Sequence, residues 1–238
     1  MSTTAPPNRP QVSLPGQVHT AEGPLDMSGM YVMHHAFRRD LDAFCAAAER
    51  TPLEDAATWR ALAGRWERFA TMLHHHHAVE DASIWPALSE RVRAVEGAPA
   101  TLEAMHAEHA TIDPVLARCA ELFDAMSTAP DAATREALAE QLTATRDLLI
   151  RHLAHEETEA LPLAQRHLPL SDWAASEKAA QRSYGLRDTG FLVPWAAEGL
   201  SQEALDRAFA TVGPTFRLAY RLTRGRFARR EAAAFRYV

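Results

Sequence analysis

The chain has little that would lock it or anchor it. Only two cysteines, Cys45 and Cys119, occur in 238 residues. A chain of this length does not need one disulfide for stability, so the pair reads as reduced thiols of a cytoplasmic protein. No run of about 18 apolar residues is present, which excludes a membrane-spanning helix. The first 27 residues lack the apolar stretch that heads a secretory signal, so export is not expected. Segments that alternate apolar and polar residues over a useful strand length are also missing, and no sheet is expected.

What remains is helical material. The chain is 47% hydrophobic and 24% charged, ordinary for a soluble globular protein. Residues 1–27 carry five prolines and little apolar periodicity, and are expected to form a flexible or extended leader. Beyond them, notable residues recur at steps of three and four, the mark of one helix face. The runs are Met30–Phe44, Leu62–Ile84, Leu102–Phe123 and Leu138–Leu163. The second is expected to continue past Pro86 with a kink. Thr51-Pro52, Gly97 with Pro99, Pro130-Asp131 and Pro169 with Ser171 break or cap the runs. The prediction is an all-α, up-down-up-down four-helix bundle over residues 28–168. A C-terminal helical extension with a basic tail should fill 169–238, with helices near 173–184, 201–212 and 214–230 and a loop at Gly190–Pro194.

Polar residues fall where apolar ones belong. His76 and Glu80 lie on the stripe of Leu62, Trp66, Phe69 and Leu73, and His152 and Glu156 on that of Leu138, Leu142 and Leu149. Charges turned into a bundle core are costly unless compensated. A His and a Glu four residues apart sit one turn from each other and can reach a common metal. An internal repeat supports this placement. HHAVED (76–81) with Pro86 aligns with HLAHEE (152–157) with Pro162, and MYVMHHAF (30–37) aligns with MHAEHATI (105–112). The repeat favours His76 with Glu80 over the rival register, His77 with Asp81. A histidine tag does not explain His74–His77, because the run lies inside a helix.

The ordered pattern His34, His76-x-x-x-Glu80, His109, His152-x-x-x-Glu156 resembles the hemerythrin-like, HHE cation-binding domain family over about residues 28–168. The resemblance implies a site with two iron ions bridged by oxo or hydroxo groups. His34 and His76 would hold one iron, His109 and His152 the other, with Glu80 and Glu156 bridging. Hemerythrin has a fifth histidine where this chain has Met105, and His106 is the candidate substitute. With fewer histidines per iron, the resemblance points away from simple oxygen carriage. Dioxygen, peroxide or nitric oxide is the expected ligand, handled by a catalase- or peroxidase-like activity or by a sensor without turnover. Tyr31 and His106 are the candidates for proton transfer. A ferritin-like oxidase fits less well, because it brings Glu-x-x-His pairs. A structural zinc needs fewer ligands than these six.

Other features have simpler readings. His35, His155, Asp81, Glu157 and Glu159 are expected to be solvated or to hydrogen-bond the ligand histidines. Cys45 and Cys119 read as small buried fillers. Between Arg217 and Arg236 lie seven arginines and one acid, Glu231, while the body is acidic on balance. That tail is read as a basic helix docked on an acidic body in preference to a nucleic-acid surface, with a protein partner as the other use of such a patch.

Overall fold

All regular structure in residues 7–238, which this computed structural model describes, is helical. Helix α1 spans Ser28–Arg50. Helix α2, Ala56–Val79, passes through a π-helical turn at Glu80–Ile84 into α3, Trp85–Val92. Helix α4 spans Ala98–Thr128. Helix α5, Ala132–His155, passes through a second π-helical turn at Glu156–Ala160 into α6, Leu161–His167. These make the four-helix bundle that the periodicity predicts. Helix α4 packs on α2 and α5, and α5 packs on α1. No helix among the described residues is long and apolar enough to cross a membrane.

Local chemistry sets the ends of the helices. Asp55 accepts from the Thr58 N–H at 3.1 Å, and Asp131 accepts from the Thr134 N–H at 3.0 Å. Each such cap contributes about 1 kcal/mol. Gly97, at φ 78°, supplies the left-handed residue that turns the chain into α4.

The kink expected at Pro86 takes a different form. The Trp85 N–H donates to the Glu80 carbonyl, and the Leu161 N–H to the Glu156 carbonyl. Each helix thus widens by one residue just before its proline, Pro86 or Pro162. A proline has no N–H and crowds the carbonyl four residues back. The wide turn relieves both problems and lets the helix continue. Both turns begin on an inward glutamate, in keeping with the frequency of π-turns at functional sites.

The core has two apolar clusters with a polar layer between them. Phe37, Phe44, Trp66, Phe69, Phe123 and Leu149 belong to one, and Tyr31, Ile84, Met105 and Leu161 to the other. On each long helix the inward histidines and glutamates fall where one cluster gives way to the other.

Two expectations need correction. Residues 7–27 of the leader carry no helix or strand, as an extended segment should, but they are packed in place and not flexible; residues 1–6 lie outside the described residues. Val12, Leu14, Ala21, Leu25 and Met27 are buried. Gln165 accepts from the Leu25 N–H at 3.0 Å and donates to the carbonyls of Ala21 and Leu25 at 3.0 and 2.9 Å. Sparse apolar residues therefore suffice to hold the segment, because a buried glutamine satisfies its backbone.

The extension comprises α7 (Leu170–Ser183), α8 (Leu186–Ala197), α9 (Gln202–Val212) and α10 (Pro214–Ala234). The loop expected at Gly190–Pro194 is instead part of α8. Burial of Phe191, Val193 and Trp195 outweighs the poor helix propensity of Gly190 and Pro194. Helix α10 packs on α2 and α8. Its docking face is Phe227, Glu231 and Ala234, while Arg221, Arg224, Arg226, Arg229 and Arg230 are exposed. Apolar burial, Glu231 and contacts of Arg236 and Tyr237 with Asp55 hold the tail to the body, while the five arginines of the outer face of α10 face solvent.

Candidate metal centre

The polar layer brings seven side chains together from α1, α2, α4, α5 and the two π-turns. His34, His76, Glu80 and Glu156 form one group whose ligand atoms all lie within 4.8 Å of one another. His77, His109 and His152 form a second group on the same criterion. Glu80 reaches both. Its Oε1 lies 3.0 Å from His76 Nε2, and its Oε2 lies 3.5 Å from His109 Nε2. On the far side, Glu156 Oε2 lies 3.2 Å from His34 Nε2.

All seven residues are buried, and Glu80 and Glu156 are essentially inaccessible. The Nε2 atoms of the five histidines and all four oxygens of the two glutamates find no partner of hydrogen-bond geometry. Each such orphan costs about 1–3 kcal/mol, more where it is charged. So many orphans pointing at one another suit metal binding, for which each group offers ligand atoms. Imidazole and carboxylate ligands suit iron, and also zinc or copper.

Three of the opposite ring nitrogens, those of His34, His109 and His152, face carboxylates outside the layer. His34 Nδ1 lies 2.9 Å from Glu157 Oε1, which also accepts from Arg38 Nη1 at 2.7 Å. Glu157 Oε2 accepts from the Val18 N–H at 2.7 Å, so the leader helps to fix the carboxylate. His109 Nδ1 lies 3.0 Å from Asp81 Oδ1. Glu108 faces His152 Nδ1 and His155 Nδ1, both at 2.8 Å. A carboxylate at Nδ1 places that atom's proton and leaves Nε2 as the free lone pair aimed inward.

Electrostatics divides the groups. Burial opposes the charge on His34, but Glu156 and Glu157 outweigh it and raise that imidazole to about 9. Burial lowers His76 to about 3, helped by His34. It also lowers His77 and His109, which face other histidines. Burial and the neighbouring Glu156 push Glu80 well above the usual carboxylate range. Burial presses Glu156 the same way, but His34 prevails and holds it down at about 2. Two inward carboxylates this close share their ionisation.

Six of the seven positions named from sequence, His34, His76, Glu80, His109, His152 and Glu156, lie in this layer. His106 does not. Its side chain is 77% exposed, with Nδ1 3.5 Å from Asp81 Oδ1. His77 stands in the inward place assigned to it. The repeat hid His77, because its counterpart is the buried Leu153. Spacing alone could have found it, since residues three and four beyond Leu73 share a face and both are histidine. Tyr31 is buried against the leader, and its hydroxyl accepts from the Ala21 N–H at 2.7 Å. Cys45 and Cys119 are free, buried thiols away from these groups.

The family model for the Hemerythrin HHE cation binding domain matches residues 28–164. No curated protein and no solved structure matches the chain.

Proposed function

From the chain's membership of the hemerythrin HHE cation-binding domain family, we propose that it holds two non-haem irons and uses them to bind or react with a small oxidant: dioxygen, peroxide or nitric oxide. His34 and His76 would hold one iron, His77, His109 and His152 the other, and Glu80 and Glu156 would bridge. The observation that carries this reading is the position of Glu80, with one oxygen toward each group of orphaned imidazoles.

Bound there, iron would supply open coordination positions and one-electron redox chemistry to a small ligand. The chain's own part is different. Glu157, Asp81 and Glu108 hold the rings in the tautomer that leaves Nε2 as ligand. Phe37, Met72, Met105 and Ile112, all buried, keep bulk water from the layer. His106 and Tyr31 are poor candidates for proton transfer, one being exposed and the other tied to the leader.

Sensing without turnover is the alternative, and one contact path favours it. The Phe37 ring lies 5.3 Å from that of His76 and 5.3 Å from that of Trp195 in the extension. A change at His76 could thus reach α8 through two aromatic contacts, with the exposed arginines of α10 as the surface for a protein partner.

Metal content and the ultraviolet-visible spectrum, compared for wild type and Glu80→Ala/Glu156→Ala, test the proposal. The expected result is about two irons per chain with near-ultraviolet charge-transfer bands, both lost in the double variant. Equal iron in the two proteins, or a folded wild type that takes up none, would sink it. Catalytic loss of peroxide then separates an enzyme from a sensor.

A further inference from the structure

The extension does more than cover apolar surface. Between α7, α8 and α9 on one side and α1 and the end of α2 on the other lies a partly enclosed cavity of about 260 Å³. Its walls are mostly apolar and include Met33, Trp173, Leu192, Val193, Ala196 and Phe209. His76 and Glu80 line it as well, so the cavity meets the layer of orphaned ligands directly. A cavity of about 150 Å³ holds a benzene molecule, so this one has room for about ten heavy atoms. Such space is far more than dioxygen, nitric oxide or hydrogen peroxide needs.

The lining also selects by charge. Among the described residues it includes Glu80 and Glu177 and neither lysine nor arginine. In the metal-free protein a carboxylate ligand would meet two acids and no cationic side chain among the described residues, and in the loaded protein a cationic one would be driven against the metals. An uncharged molecule suffers neither penalty. Tyr184 also lines the space, and burial together with Glu80 keeps its hydroxyl protonated by pushing it up to about 12. It is a donor for an uncharged oxygen.

We infer that this cavity binds an uncharged, mostly apolar organic molecule of about ten heavy atoms, with a hydroxyl- or hydroperoxyl-type head turned toward His76 and Glu80. The cavity's size and lining carry the binding. The nature of the head rests on the oxidant-handling reading above. The extension would thus be the part of the chain that sets which oxidant-bearing molecule arrives.

Cumyl alcohol, the stable counterpart of cumene hydroperoxide, is a suitable probe for calorimetric titration of the full chain. The metal-free protein is expected to bind one molecule saturably, and Ala196→Trp and Ala208→Trp, each filling the cavity, to weaken this at least tenfold with helix content and iron uptake retained. In the iron-loaded wild type the same alcohol should shift the near-ultraviolet absorption. Cumene hydroperoxide should compete for the same site, whereas decanoate should not. Absence of saturable binding to wild type, or binding that both filled variants retain, overturns the inference. Because the primary readout uses metal-free protein, a chain that binds the alcohol but takes up no iron would remove the proposed function and leave the cavity as a binding site. A chain that takes up iron but ignores the alcohol would do the reverse.

Discussion

His77 stacks on His109 with ring centroids 4.0 Å apart and planes 12° from parallel. The two residues come from different helices, and both are held neutral by burial and by other histidines. Parallel neutral rings with orphaned Nε2 atoms suit two ligands of one cation better than two packed core residues. His77→Gln is therefore expected to lower bound iron from about two to about one per chain, whereas His106→Gln should leave it unchanged. Elemental analysis of the purified variants gives the count. Equal loss in both variants, or none in either, would remove His77 from the site.

The sequence shows the bundle clearly because its physics is local. Three-and-four periodicity, Asp55 and Asp131 as caps, and breakers at Pro52, Gly97 and Pro130 place α1 to α6 with little help from tertiary contacts. Six inward ligand positions follow from the same stripes. What it hides depends on partners distant in the chain. Folding of the leader rests on Gln165, more than 130 residues away. Burial of Phe191 and Trp195 makes α8 a helix despite Gly190 and Pro194. The internal repeat conceals His77, because one half supplies a histidine where the other has Leu153.

Glu157 and Glu108 do the same job in different surroundings, and their variants should separate stability from metal affinity. Glu157 is fully buried and pairs with Arg38, itself 7% exposed. Glu157→Gln strands a buried guanidinium and should cost about 3 kcal/mol. For a chain of this size that is a fall of roughly 10 °C in the melting temperature of the metal-free protein. Glu108 is partly exposed, so Glu108→Gln should move stability by under about 1 kcal/mol. Both variants should weaken iron binding, by about 10- to 100-fold. Scanning calorimetry and a chelator competition read the two effects. A stable Glu157→Gln protein with wild-type affinity would refute this division.

Metal loading should release protons. His34 keeps its proton up to about 9, and Glu80 titrates well above an ordinary carboxylate. Both must lose it to become ligands, so loading near pH 7 should release at least about one proton per chain, that of His34, and more at lower pH as Glu80 adds its own. Calorimetry in buffers of different ionisation enthalpy measures this number, and release near zero would show that both groups are already deprotonated.

Acid should unfold the metal-free protein early. His76 is lowered to about 3, and His77 and His109 are also lowered, so below pH 6.5 the unfolded chain binds more protons at all three. Their contribution is present above 6.5 and lost as pH falls toward 3. Glu80, raised, acts in the opposite sense above its ordinary value, with one proton against three. His34, raised to about 9, contributes stability that is complete below 6.5 and lost as pH rises through 9. The metal-free protein should therefore be most stable near pH 6.5–7, with a slope of up to about 1.4 kcal/mol per pH unit for each unbalanced proton below that. Urea unfolding at pH 5, 6.5 and 9 tests the sign, and greater stability at pH 5 than at 6.5 would contradict it.

Attachment of the extension should depend on one buried cation. Arg65, in α2, binds Asp40 of α1 through Nη2 at 2.5 Å and Glu231 of α10 through Nε at 2.7 Å. Trp195 of α8 donates its Nε1–H to the same Asp40 oxygen at 2.7 Å. Arg65 also lies over the Phe191 ring at 4.9 Å. Two bundle helices and two extension helices thus meet at one guanidinium. Arg65→Met keeps the apolar stem and leaves Asp40 and Glu231 without it. Arg39 remains 2.8 Å from Asp40 but cannot serve Glu231, whose acid burial already pushes up. The expected cost is about 3–5 kcal/mol, concentrated in the extension. Limited proteolysis should then cut within residues 170–234 at least ten times faster than in wild type, leaving a resistant bundle fragment. Arg230→Ala, on the exposed face of α10, should change stability by no more than about 0.5 kcal/mol. If the two variants are cleaved alike, the apolar contacts and the other polar ones, such as Arg39 on the carbonyls of Trp195 and Glu198, hold the extension, and Arg65 is a passenger in that interface.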